Sequence, residues 1–187
     1  MARHRIDEDI LDRAAALFAQ HGFAHTSVKA VADAVGLSKA GLLHHFPTKE
    51  ALFLAAVEVM REHLRRIRDR LADQPAGPER DRRALELMSD IALDKPGLVS
   101  LALIPLTSGE QEHFLGDTGE EDGLVFEIFA AVGADAQRVV RVIGALSALA
   151  VLSLAANRLG ETSAWRKHIV TTCFDALGYR VGSTSEG

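Results

Sequence analysis

The chain has 187 residues, the length of one long domain or two short ones, and at that size roughly 70% of the unfolded surface is buried on folding. Hydrophobic residues make up 48% and charged residues 25%, which excludes a disordered chain and gives no sign of a low-complexity one. The formal charge of −5, from 21 Lys+Arg against 26 Asp+Glu, argues as a total against nucleic acid, whose binders carry basic surfaces. That total is uneven: residues 1–50 hold six basic and six acidic residues plus five of the eight histidines, so residues 51–187 carry the whole excess. Cys173 is the only cysteine, so neither an intrachain disulfide nor a cysteine-based zinc site can form. No apolar stretch follows Arg3 and Arg5, so no signal peptide is expected and the chain is expected in the cytoplasm.

The hydrophobic spacing is helical throughout. Ile6, Ile10, Leu11, Ala14, Leu17 and Phe18 mark a first helix, with Gly22 placed to end it. Val28, Val31, Ala32 and Val35 repeat at i, i+3, i+4, i+7, and Gly36 breaks the run. Ser38 can cap a short third helix with Leu42 and Phe46 on one face. Thr48 is the expected N-cap of a long helix over 49–73, with the stripe Phe53, Val57, Met60, Leu64, Ile67 and Leu71. The linker at 74–78 contains Pro75, Gly77 and Pro78. A further helix to about Leu93 stops at Lys95-Pro-Gly97, and an apolar segment over 98–106 closes at Pro105. Residues 107–123, with four glycines and six acidic residues, read as a solvated loop, before helices over 124–132, 135–159 and 161–179. With no period-2 run, the expected fold is all-α with about nine helices. The apolar run 139–156 is short for a membrane span and is interrupted by Arg141, so no membrane partner is expected.

Two short helices joined across Val35-Gly36-Leu37 have helix-turn-helix spacing, in which the second helix enters a DNA major groove. An ordinary helical corner has the same spacing; the composition of the third helix favours DNA. Leu42 and Phe46 take the core face, leaving Lys39, Ala40, Leu43 and His44 outward, with Gly41 and His45 on the flank. Lys39 suits a phosphate or guanine, the imidazoles can donate or accept, and Leu43 can meet a thymine methyl. The start of the next helix, with Lys49, offers free N–H groups to a phosphate.

The stretch 26–52, with Val35-Gly-Leu-Ser-Lys39 and His45-Phe-Pro-Thr-Lys-Glu-Ala-Leu52, resembles the DNA-binding region of the tetracycline-repressor (TetR) family. The resemblance covers about residues 6–56. It implies a helix-turn-helix domain over 1–47 and an effector-binding and dimerisation domain over 48–187, linked by the helix at 49–73. It also implies a homodimer on a palindromic double-stranded DNA operator, released by a small-molecule effector. Carried over by position, Thr26, Ser27, Lys29, Ser38, Lys39, Ala40, Gly41, Leu43, His44, His45 and Lys49 would contact DNA. Many members have an aromatic at the position of Leu43 and often a second at that of His45, so base readout here should lean on methyl contacts and imidazoles.

The helix over 135–159 is apolar nearly all round, so it needs burial on two sides, and a partner subunit can supply one of them. Leu149, Leu152 and Ala156 from it, with Trp165, Ile169 and Cys173 from the last helix, are the expected dimer contacts. Met60, Met88, Leu101, Leu103, Phe126 and Phe129 are candidates for an adaptable apolar effector pocket, although such spacing more often marks plain core. No nucleophile elbow, P-loop, dinucleotide fingerprint or zincin motif occurs, so no enzyme, metal or cofactor is expected. The rival reading is an all-α protein-interaction module without DNA affinity.

Overall fold

The computed structural model describes residues 2–107 and 124–179, with side-chain surroundings for 7–103 and 124–179. Among the described residues the chain is all-helical: α1 Ala2–His21, α2 Val28–Val35, α3 Lys39–His45, α4 Lys49–Arg70, α5 Pro78–Asp94, α6 Pro96–Thr107, α7 Leu124–Ile128, α8 Ala136–Leu159 and α9 Thr162–Ala176. The expected solvated loop falls on 108–123, outside the described residues. The long helix α4 stops at Arg70 rather than 73 and α9 at Ala176 rather than 179, and two further helix ends depart for local reasons. Helix α6 runs to Thr107 through Pro105, because a proline near the end removes only one backbone bond. Helix α7 stops at Ile128 rather than 132, since Ala130 takes the left-handed φ of 48°.

Two compact units emerge. The first holds the chain up to His63 together with α6. The second holds Leu64–Asp94 with α7, α8 and α9. The helix-turn-helix expectation over 1–47 therefore forms part of a larger unit, which takes in α4 as far as His63 and all of α6. Helix α4 is one continuous helix shared by both.

In the first unit, Phe18, Phe23 and Phe53 form an aromatic cluster with centroids 5.2–5.6 Å apart. Ala14, Ala15, Val31, Ala32 and Leu42 close off completely from water where α1, α2 and α3 meet. Burying a leucine such as Leu42 contributes about 2 kcal/mol. Helix α6 packs along α1, and its start is fixed by three devices. The Leu98 N–H donates to Asp12 Oδ1 at 2.9 Å. The buried Lys95 ammonium lies 2.5 Å from Asp9 Oδ1. Gly97 lets the two backbones touch: a Cβ there would stand 1.8 Å from the Asp12 carbonyl oxygen.

In the second unit, α5 and α8 run parallel. Asp81 near the start of α5 meets Arg138 near the start of α8, and the Leu93 carbonyl near the end of α5 accepts from Asn157 Nδ2 near the end of α8. Helix α9 returns antiparallel after the left-handed Gly160, with Arg166 pairing to Asp90 and the Arg82 guanidinium lying 4.0 Å over the Phe174 ring. Val142, Ala145, Leu149, Ser153 and Ala156 turn one side of α8 into this three-helix core. Helix α8 is long and apolar enough to cross a membrane by length and composition, but a third of its most apolar window is buried inside the protein.

Candidate nucleic-acid interface

The geometry of the α2–α3 corner follows from its caps. Ser27 Oγ accepts from the Ala30 N–H and Ser38 Oγ from the Gly41 N–H, each at 3.0 Å, so each short helix starts on a serine N-cap. Gly36 ends α2 with φ 73°, and the Leu37 N–H reaches back to the Ala32 carbonyl at 2.9 Å. That left-handed closure is what glycine permits, and it turns the chain sharply into α3. Val31, Ala32 and Leu42 bury the inside of the corner.

On the outside, Ser27, Lys29, Ser38, Lys39, Ala40, His44 and His45 are all exposed, and Gly41 and Leu43 are half-buried. The structure thus brings nine of the eleven expected DNA contacts to one accessible corner. The other two have different surroundings. Thr26 is only 3% exposed, and its hydroxyl donates to the Gly22 carbonyl at 2.8 Å, so it braces the end of α1 instead of facing a phosphate. Lys49 turns inward: its ammonium donates to the Phe23 carbonyl at 2.8 Å and lies 4.3 Å over the Phe23 ring. A cation held by a carbonyl and a π-face is not a free phosphate clamp. Of the remaining lysines, Lys29 pairs with Asp33 at 2.6 Å, whereas Lys39 makes no hydrogen bond or ion pair among the described residues. His45 leans back toward α1, its Nδ1 3.8 Å from Asp7 Oδ1, a contact with no signal in local spacing.

The expected pocket and interface residues also sort out. Met60, Leu101 and Leu103 belong to the first unit, and Met88, Phe126 and Phe129 to the second, with Met88, Leu101 and Phe129 buried. Of the expected dimer contacts, Leu149, Ala156, Ile169 and Cys173 are buried inside the second unit and Leu152 and Trp165 are half-buried. This sorting has a simple cause. On a helix apolar all round, periodicity cannot tell the side facing its own bundle from the side left open. The open side of α8 carries Val140, Ile143, Val151 and Leu159, exposed by 67%, 41%, 58% and 62%. Burial pushes the Cys173 thiol up to about 12. We expect it to react with an aromatic disulfide reagent only after denaturation; rapid labelling of the native chain would contradict this packing. Among the described residues no group of His, Cys, Asp and Glu is placed to hold a metal.

Two capped helices crossing over a glycine turn, with polar and basic side chains outward, have the geometry of a helix-turn-helix unit. Residues 10–56 match the family model of the bacterial regulatory proteins, tetR family. Similar proteins include the HTH-type transcriptional regulator RutR of Escherichia coli (strain K12), 35% identical over 85 residues, or 43% of this chain and 40% of the relative. Another is the HTH-type transcriptional repressor AcnR of Corynebacterium efficiens, 42% identical over 48 residues and 26% of each chain. The matches thus span well under half the length of these relatives. A crystal structure of a TetR-like transcriptional regulator from Rhodococcus sp. RHA1 shares the fold across 94% of this chain and 97% of its own, with TM-score 0.61 and 20% identity.

Proposed function

We propose that the chain is a ligand-responsive transcriptional repressor that binds a palindromic DNA operator as a homodimer and is released by a small apolar effector. The observation that carries the reading is the outward face of α3, where the uncommitted Lys39, small Ala40 and His44 project from a rigid, doubly capped corner. Repression follows the naming of AcnR, and a soluble cytoplasmic protein follows from the role. The homodimer rests on α8. Its open side repeats at alternating steps of four and three through Val140, Gly144, Ser147, Val151, Leu154 and Arg158, a coiled-coil-like seam. Along that seam Val151, Leu154, Ala155, Arg158 and Leu159 line an open depression of about 490 Å³. The effector reading rests on Met88, Phe126 and Phe129, apolar residues of the second unit. Because α4 belongs to both units, a ligand favouring one packing of the second would alter the ~34–36 Å spacing that two recognition helices need.

DNA binding is tested by band shift with duplexes from around the chain's own gene. Lys39→Ala is expected to weaken the specific complex about tenfold and to lower the salt slope by about 1. Binding that is absent at low salt, or independent of salt, sinks the reading in favour of a protein-interaction module. For the dimer, Val151→Glu is expected to give a folded monomer by light scattering, because Val151 is exposed in the single chain. An unchanged dimer would place the interface elsewhere.

A further inference from the structure

The recognition corner holds little fixed positive charge. Lys29 is matched by Asp33, and Lys49 is turned onto Phe23, which leaves Lys39 as the one uncommitted ammonium of these three. At the other end of α3 stand two exposed imidazoles, His44 and His45, in an edge-to-face pair with centroids 5.8 Å apart. Their surroundings differ. His45 faces Asp7 of α1, whereas His44 has no carboxylate against it among the described residues. The charged residues of the neighbouring elements include Asp7 and Glu8 on α1, Lys29 and Asp33 on α2, paired with each other, and Lys49 and Glu50 at the start of α4. Both imidazoles lie in the last turn of α3, where the helix dipole favours a cation.

We propose that His44 is a protonation-dependent DNA contact, which as imidazolium donates to an acceptor on the duplex, so that affinity for DNA rises as pH falls through the imidazole range. The inference rests on the DNA-binding reading above. Histidine changes charge between about pH 5 and 8, and protonating one doubles the free cationic charge of α3. A nearby phosphate favours the charged imidazole, so binding takes up a proton and, by linkage, weakens as pH rises. The acceptor is either a phosphate oxygen or the O6/N7 edge of a guanine, both of which prefer a charged donor.

The test uses a duplex that the full chain itself selects from a random pool at pH 6.0, with anisotropy titrations at pH 6.0 and 8.0 over a salt series. The chain is expected to bind about tenfold tighter at pH 6.0, with a salt slope steeper by about 0.9 for each α3 bound. His44→Gln should lose that pH dependence, His45→Gln should keep most of it, and His44→Lys should bind at pH 8.0 as the natural chain does at pH 6.0. If His44→Gln weakens selected and random duplexes alike, the acceptor is phosphate; if preference at one guanine position is lost, it is the base edge. Selection that yields a specific duplex bound equally at both pH values, or full pH dependence retained in His44→Gln, overturns the inference alone. Failure to select any duplex overturns the DNA-binding reading and this inference with it.

Discussion

Gly97→Ala is expected to destabilise the protein by about 3 kcal/mol, measured by urea unfolding followed through helicity. The added methyl would lie 1.8 Å from the Asp12 carbonyl oxygen and 2.8 Å from its carbon, both rigid α1 backbone. Nothing at that contact can swing aside, so α6 must lift from α1 and strain the Lys95–Asp9 pair and the Asp12 cap on the Leu98 N–H. The pair itself is worth far less than the close approach. Lys95→Met is expected to stay within about 1 kcal/mol, because the Lys95 side chain is 8% exposed and its apolar stem is retained, while Asp9 is 62% exposed and stays hydrated without its partner. A cost below 1 kcal/mol for Gly97→Ala would mean that α1 and α6 do not meet backbone to backbone.

That contact also shows where the sequence stops being readable. Lys95-Pro-Gly97 reads as a helix stop, and a stop it is, but the same glycine is required by a helix more than eighty residues away, which no local spacing reveals. The α2–α3 corner is the opposite case. Its Ser38 cap, its left-handed Gly36 and its buried Val31 and Leu42 are local devices that stand in the spacing, whereas the Ser27 cap does not, that residue being expected as a DNA contact. Within that corner, positions were legible and directions were not. Lys49 sits where a phosphate anchor should be, yet its ammonium turns onto Phe23, and Thr26 stands beside the exposed Ser27 with its own hydroxyl spent on Gly22. In α8 the residues that pack inward and those left open have the same chemistry. Only the positions of α5 and α9 decide that Leu149 is core and Val151 is surface.

The second large effect is expected at Asp81, which is 2% exposed and carries a carboxylate into the second unit. One oxygen, Oδ2, receives both the Arg138 guanidinium at 2.5 Å and the Tyr179 hydroxyl at 3.0 Å. Arg138 also donates to the Phe129 carbonyl at 2.6 Å, so the cluster ties α5, the turn before α8, α8 itself and the segment after α9. Asp81→Ala is expected to cost about 3 kcal/mol, since it strands a guanidinium whose side chain is only 21% exposed. Tyr179→Phe, which removes one donor and leaves the ion pair, is expected to cost about 1 kcal/mol. Burial, and then the charge of Asp81, raise the Tyr179 phenol above its ordinary value, so the folded state prefers the neutral hydroxyl. Its contribution is therefore complete below the unfolded phenol's value of about 10 and fades as pH climbs through the raised one. Urea midpoints at pH 7 and above pH 10 separate the two roles: Asp81→Ala loses stability at both, whereas the gap between the natural chain and Tyr179→Phe closes at high pH. A gap that widened with pH would show that the phenol is not donating to Asp81.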